Sequence, residues 1–326
     1  MNSNISALRE IILKATQTLL SSDRYDEITS ALHQLHNVFS DITGIKAGNI
    51  TDHDIYLPTG KAISPTKAAH CLLEIDRTRK FLRGINKALL QLTARYPSKK
   101  INILYAGCGP YATLLTPFTS LFSADQLSFT LMDINPISIE AAEMLYKKLD
   151  LSAYVKAFTL ADATTFKLDS EEVDLVISET MLNALRKEPQ VAVMANLIPQ
   201  LASDAIFIPE ELQINAALLR WTDEVESFSA LGSIPKRVYL GTVYKATRKF
   251  ELPQPLTIPV PDFTTHRTLS LLTDITVFND EKLTTYNSSL TCPFDLGQLD
   301  PEQWPREIRF DYRLTEDPGF EYHLCF

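Results

Sequence analysis

The chain has 326 residues and no apolar stretch approaching the ~18–20 residues a helix needs to cross a bilayer, so no membrane partner is expected. Its first residues (MNSNISALRE) lack a basic region followed by an apolar run, which argues against a signal peptide. Cysteine is scarce. Cys71, Cys108, Cys292 and Cys325 are scattered in no disulfide or metal spacing, and a reduced, cytoplasmic setting is the plain reading. The six histidines form no metal set, since His33 and His36 fall three apart on an expected helix where packing roles prevail. Basic residues are also in deficit, at 31 against 40 acidic, for a formal charge of -9. That argues against nucleic acid as the main partner, because phosphate binding needs a basic face. Internal repeats and low-complexity tracts are missing as well. What remains, with 45% hydrophobic and 22% charged residues, is an ordinary globular composition.

Periodicity divides the chain into three parts. Residues 1–60 form a helical segment: Ile5, Leu8, Ile11, Ile12 and Ala15 recur at helical spacing, as do Ile28, Leu32 and Leu35, before a loop with Gly44, Gly48, Pro58 and Gly60. Over 61–210, Pro65 opens a long helix reaching about Arg95 and closed by Pro97. Short apolar runs at 101–106, 127–133, 153–160, 173–178 and 204–209 then read as strands, with helical patterns at 112–122, 137–149 and 189–201. Strands alternating with helices predict an α/β fold with a doubly wound parallel sheet. Over 211–326 the helical pattern disappears and stretches such as LQINAALLRW, LLTDITVF and EIRFDYRL predict a β-rich domain.

The first strand runs into Ala106-Gly107-Cys108-Gly109-Pro110. Glycines there let the backbone turn sharply and approach a ligand with no Cβ in the way. Asp133 ends the second strand 26 positions on (133 − 107), where an acid can accept hydrogen bonds from both ribose hydroxyls of a nucleoside. Asp162 follows the third strand and either meets an adenine amino group or caps a turn. The third glycine of a dinucleotide loop is missing, with Tyr111 in its place, so an adenosine with a compact sulfonium tail fits better than a pyrophosphate.

This constellation resembles the class I methyltransferase fold, a Rossmann-like sheet that binds S-adenosyl-L-methionine. Two further stretches are similar to the protein arginine methyltransferase family. Ser178-Glu179-Thr180-Met181, with Glu188 nine positions after Glu179, matches its double-glutamate loop. Glu74-Ile75-Asp76-Arg77-Thr78, followed by Phe81, matches its segment ahead of the first strand, and 206–210 matches its fifth strand and Phe-Pro exit. The resemblance covers about residues 68–215. It implies that Arg77 grips the cofactor's carboxylate, that Glu179 and Glu188 are catalytic, and that Met181 and His266 lie on the substrate side. It also implies a barrel-like β domain and homodimerisation, which the short β-rich region leaves open.

The chemistry gives the two glutamates a reason. A guanidinium is a planar cation with delocalised lone pairs, and two carboxylates can bind it bidentately and hold one nitrogen in line for attack. The same residues also have structural readings: Glu188 precedes Pro189 at a helix start, and Arg77 can pair with Glu74. The sequence departs from the family at Tyr105, where an acid is common. It departs again in the loop TMLNALRK, which lacks an aromatic-glycine pair, and at Thr265-His266-Arg267, where arginine replaces tryptophan. The expected activity is methyl transfer to a guanidino nitrogen, in a protein's arginine or in a free small guanidine. Alternatives are a natural-product methyltransferase acting on another N, O or C nucleophile, and a non-catalytic cofactor-binding module.

Overall fold

The computed structural model describes residues 3–46, 53–168, 173–229 and 235–326; the expected loop glycine Gly48 lies outside them. Helices α1 (Ser3–Ser21) and α2 (Tyr25–Thr43) pair through Ile12, Ala15 and Leu19 on one side and Ile28, Leu32 and Leu35 on the other, all buried. Gly44 ends α2 at φ 75°, its amide donating to the Ser40 carbonyl at 2.8 Å. A short antiparallel hairpin follows, β1 (Ile55–Leu57) and β2 (Gly60–Ala62).

The helix expected from Pro65 to Arg95 is two helices. α3 (Pro65–Cys71), capped by Ser64, stops at Leu72–Glu74, and α4 (Ile75–Arg95) begins again with Glu74 at its N-cap. The Thr78 hydroxyl reaches back to the carbonyls of Cys71 and Leu72 and stabilises the break. That break places Glu74 and Arg77 at the start of a helix instead of on the side of one.

All five expected central strands are present: β3 (Ile101–Ala106), β4 (Leu127–Asp133), β5 (Val155–Leu160), β6 (Leu175–Ser178) and β7 (Ile206–Ile208). They form a parallel sheet in the order β5-β4-β3-β6-β7, with α5 (Pro136–Lys148) after β4 and α6 (Gln190–Leu197) ahead of β7. The chain runs outward one way from β3 to β5 and the other way from β6 to β7. The crevice at the carboxyl ends of β3 and β6 is therefore the topological switch point, where such sheets bind ligands.

One expected helix is missing. Residues 112–122 form tight turns and a 3-10 segment, Thr116–Ser120. Ala112 takes φ 43°, outside helical geometry, and the Thr116 hydroxyl donates to the carbonyls of Tyr111 and Ala112. The glycine loop thus opens onto a turn. Tyr111 is fully buried beneath α2, edge-on to His36 and tilted against Phe39, with its hydroxyl on the Ile45 carbonyl at 2.5 Å. The N-terminal helices accordingly pack behind the loop.

Beyond Pro209 the chain builds β8 (Glu211–Leu219), α7 (Trp221–Ser229), β9 (Val238–Thr247), β10 (Leu256–Pro259), β11 (Thr268–Phe278), β12 (Glu281–Leu283), β13 (Phe294–Gln298), β14 (Glu307–Arg313) and β15 (Gly319–Cys325). The helix α7 was not expected; nine residues are too few to establish a period in sequence. One antiparallel sheet runs β12-β11-β8-β9, with β13 also on β11, and a second runs β10-β14-β15. No helix among the described residues is long and apolar enough to cross a membrane.

Candidate active site

At the switch point, Ala106 of β3 and Ser178 of β6 are register partners, so the glycine loop and the double-glutamate loop leave the sheet side by side. Gly107 sits at φ 77°, and a Cβ there would lie 2.5 Å from Thr180 Cγ2. Glycine is required at this crossing on both counts. Gly109, at φ 64°, donates its amide to Asp133 Oδ2 at 2.8 Å, while Asp133 Oδ1 accepts from the Asn135 amide at 2.8 Å. Burial raises the Asp133 pKa against these backbone donors. Asp162 accepts from the amide (2.8 Å) and hydroxyl (2.7 Å) of Thr164, the turn-capping role its sequence allowed.

These residues line a single cleft, together with Arg77, Glu179, Glu188 and Tyr105. Every residue of its lining falls between Leu57 and Val193. Arg77 is 9% exposed and its guanidinium is divided between two acids. Nε donates to Glu179 Oε2 at 3.1 Å and Nη2 contacts the same oxygen, while Nη1 donates to Glu74 Oε1 at 3.0 Å. Glu74 in turn accepts from the Ser289 amide (3.0 Å) and hydroxyl (2.7 Å), which ties the start of α4 to the β-rich region.

The Glu179 side chain is 8% exposed, and its second oxygen, Oε1, is buried with no partner. Burial pushes its carboxyl above the usual range, and the adjoining Arg77 guanidinium works against that. Glu188 is 6% exposed; burial and the charge of Glu179 push its pKa up to about 7, with Arg77 and Lys61 opposing. Burial also raises the Cys71 thiol to about 11, so this cleft residue is a neutral thiol near pH 7 and no candidate nucleophile.

The loop between the glutamates is held in an uncommon shape. Ala184, Leu185 and Lys187 have φ of 56°, 53° and 66°, a conformation that costs ~1–3 kcal/mol per non-glycine residue and survives only when the surroundings impose it. They do. The Thr273 hydroxyl accepts from the Ala184 amide (2.8 Å), Tyr312 donates its hydroxyl to the Leu185 carbonyl (2.7 Å), and Pro318 accepts the Lys187 amide (2.7 Å). Asn183 donates to the Cys292 carbonyl at 2.8 Å, and the Arg186 guanidinium lies 4.6 Å from the centre of the Phe294 ring.

The structure thus brings Gly107, Gly109, Asp133, Asp162, Arg77, Glu179 and Glu188 to one cleft, and it places two expected substrate-side residues elsewhere. Met181 is 2% exposed in the hydrophobic core and does not line the cleft. His266 also lies outside it, with Nε2 2.9 Å from Asp223 Oδ2 on α7. Lys61 lines the cleft and was not singled out in the sequence, nor was Gln190, whose Oε1 holds the amide (2.9 Å) and hydroxyl (3.0 Å) of Thr180. No motif marks either residue, because each acts across a fold contact.

Residues 104–201 match the family model described as a methyltransferase domain. Among solved structures, the chain is similar to the Trypanosoma brucei PRMT1 enzyme–prozyme heterotetrameric complex with AdoHcy, at 13% identity and a TM-score of 0.56, over 80% of this chain and 93% of that one. It also matches Arabidopsis thaliana protein arginine methyltransferase 10, at 10% identity and a TM-score of 0.45, over 71% and 84% of the two chains. No curated protein matches the sequence significantly. The domain match identifies a methyltransferase, and its sheet is Rossmann-like. The cleft has the features S-adenosyl-L-methionine requires: a glycine crossing that excludes a Cβ, a half-buried acid at the end of β4 and a buried guanidinium.

Proposed function

We propose that the enzyme methylates a guanidino nitrogen. One observation carries this reading: the cleft buries more negative than positive charge. Glu179 and Glu188 stand beside the single guanidinium of Arg77, which Glu74 also engages from outside the cleft; Glu179 Oε1 has no donor, and burial together with the charge of Glu179 pushes the Glu188 pKa up to about 7. Lys61 does not correct the balance, because Asp54 engages its ammonium at 2.7 Å. An acceptor that brings its own planar cation relieves the deficit, and a guanidinium matches the carboxylates' geometry.

In this reading Arg77 holds the carboxylate of the cofactor, and Gly107, Gly109, Asp133 and Asp162 shape the nucleoside end. S-adenosylmethionine supplies an electrophilic methyl group. Glu179 and Glu188 bind the acceptor guanidinium, orient one nitrogen and offset the positive charge that persists through transfer. No base is needed before attack. The proton leaves the methylated nitrogen afterwards, and Glu188, on the lining of the cleft, is placed to receive it. The β-rich region of 211–326 fixes the glutamate loop. A cytoplasmic setting, which the scattered free cysteines support, and assembly into dimers belong to the same proposal.

The test is to incubate the protein with isotope-labelled S-adenosylmethionine and guanidine acceptors and to locate the methyl by mass spectrometry. Label on a guanidino nitrogen is the expected result. A second reading, methylation of a different nitrogen, oxygen or carbon, is favoured by the grip of Arg77 on Glu179, which lets that glutamate serve as a counter-ion alone. Label confined to such an atom would establish it.

A further inference from the structure

The proposal above leaves open whether the guanidine is free or part of a polypeptide, and the following inference rests on it. Around the second glutamate, both sides of the loop are already covered. On one side lies the β-rich region, through the bonds to Thr273, Tyr312 and Pro318. On the other lies the β1–β2 hairpin. Gly60 at its turn rests directly on the backbone of Glu188 and Pro189, so that a Cβ built on it would fall 2.9 Å from both Glu188 C and Pro189 N. The next residue, Lys61, donates its amide to the Lys187 carbonyl at 2.8 Å.

The hairpin is itself anchored. Asp54, just ahead of β1, receives the ammonium groups of Lys61 (2.7 Å) and Lys67 (2.8 Å) and the amide of Ser64 (2.9 Å), which pins the hairpin to the start of α3. From this position Leu57, Lys61, Ala62 and Ile63 wall the same cleft that holds Glu179 and Glu188. The β-rich region contributes no residue to that wall among those described, although it holds the loop from behind. A polypeptide bound by strand addition draws its affinity from free backbone groups beside the reacting side chain. Here the amides of Ala184 and Lys187 and the carbonyls of Leu185 and Lys187 are all spent within the fold.

We propose that the acceptor is a free, low-molecular-weight guanidine that enters whole beneath the β1–β2 hairpin, with the hairpin as the outer wall of its subsite. A small cation has no flanking chain to seat and can reach the two glutamates under the hairpin. An arginine within a chain would have to carry its flanking residues past Gly60 and Lys61.

The experiment offers full-length protein and labelled S-adenosylmethionine two pools at equal guanidine concentration: free arginine with other small guanidines, and arginine peptides blocked at both ends. The proposal expects kcat/KM for the best free guanidine to exceed that for any peptide by ~100-fold or more, the scale on which misplaced reacting groups lose rate. Comparable labelling of peptides would overturn it while leaving guanidine methylation intact. Label in neither pool would remove the guanidine reading and this inference with it. A Gly60→Ala variant, whose Cβ would fall 2.9 Å from the backbone of Glu188 and Pro189 and push the hairpin off the loop, gives a readout separate from the acceptor panel, with folding checked by its melting curve. KM for the free guanidine should rise by about an order of magnitude with cofactor Kd unchanged, the signature of lost acceptor binding. Unchanged KM in a folded variant would overturn the hairpin's place as the subsite wall.

Discussion

The two ends of the cleft are built on different principles. At the cofactor end the determinants are backbone geometry and lie close in sequence: positive-φ glycines after β3 and an acid at the tip of the neighbouring β4, with hydrogen bonds running between them. At the proposed acceptor end the determinants are charges and cross-chain anchors: the glutamates after β6, Arg77 of α4 on the border with the cofactor end and paired to Glu179, a hairpin from residues 55–62 and support from Thr273, Tyr312 and Pro318. The first arrangement tolerates little change in shape and the second little change in charge. In the proposed reading the cofactor is held by the shape of the sheet end, and the acceptor by charges anchored from other parts of the chain.

The largest effect should come from removing charge at the acceptor end. Arg77→Met would leave Glu179 buried without its partner, a change that typically costs ~3–5 kcal/mol. Urea denaturation should show a loss of that size, and the double variant Arg77→Met/Glu179→Gln should recover most of it. A cost under ~1 kcal/mol would mean that the ion pair behaves as an exposed one and that charge does not organise this end.

Next in size is turnover. Glu188→Gln should lower kcat by about 100–1000-fold, the usual scale for losing one group that stabilises transition-state charge. Calorimetry should find cofactor affinity unchanged. Near-normal turnover in both Glu188→Gln and Glu179→Gln would remove the guanidinium argument and erase the contrast between the two ends.

The converse change is one of shape. Gly107→Ala places a Cβ 2.5 Å from Thr180 Cγ2 at φ 77°, so the loop must shift. A penalty of ~1–3 kcal/mol in cofactor binding is expected from backbone strain of this kind. Titration calorimetry checks it, and wild-type affinity would show that the crossing is looser than its geometry implies.

A pH effect of opposite sign for stability and for binding should follow from Glu188. Its folded pKa of about 7 is raised above the ordinary 4.5, so the fold favours the protonated form. The associated stability is complete below the unfolded value and declines as pH rises through about 7. A cationic acceptor prefers the ionised form, so its KM should fall over the same interval. Melting temperature and acceptor KM measured across that range check both signs, and Glu188→Gln should flatten both curves.

The smallest effect belongs to His266. Bonded to Asp223 and away from the cleft, it should give up only about 0.5–1.5 kcal/mol of stability as His266→Ala, the net worth of one hydrogen bond. Its kcat/KM should stay near wild type. A large loss of activity would return His266 to the substrate side and extend the acceptor end into the β-rich region.

How far the sequence could be read follows the same division. The central strands and the glycine loop were legible because they depend on local apolar runs and on residues that tolerate positive φ. Asp133 and Asp162 were legible from their place just after strands. The break between α3 and α4 was not, since it depends on a Thr78 hydroxyl reaching back seven residues to Cys71. The missing helix after Gly109 was hidden for a similar reason: apolar spacing at 112–122 serves burial equally well in turns. His266 and Met181 followed from resemblance alone, and their places are set by Asp223 and by core packing. The hairpin over Glu188 could not be foreseen, because Gly60 and Lys61 meet residues 187–189 only across the fold.

The measurement closest to the central claim is proton release when a guanidinium acceptor binds. Calorimetric titration of the protein saturated with S-adenosylhomocysteine, at a pH below 7 in buffers of different ionisation enthalpy, counts the protons exchanged. The account predicts release of a proton as the cation ionises Glu188, and loss of that release in Glu188→Gln. Binding with no proton exchange, and with the same affinity in the variant, would contradict a guanidinium site built on these two glutamates.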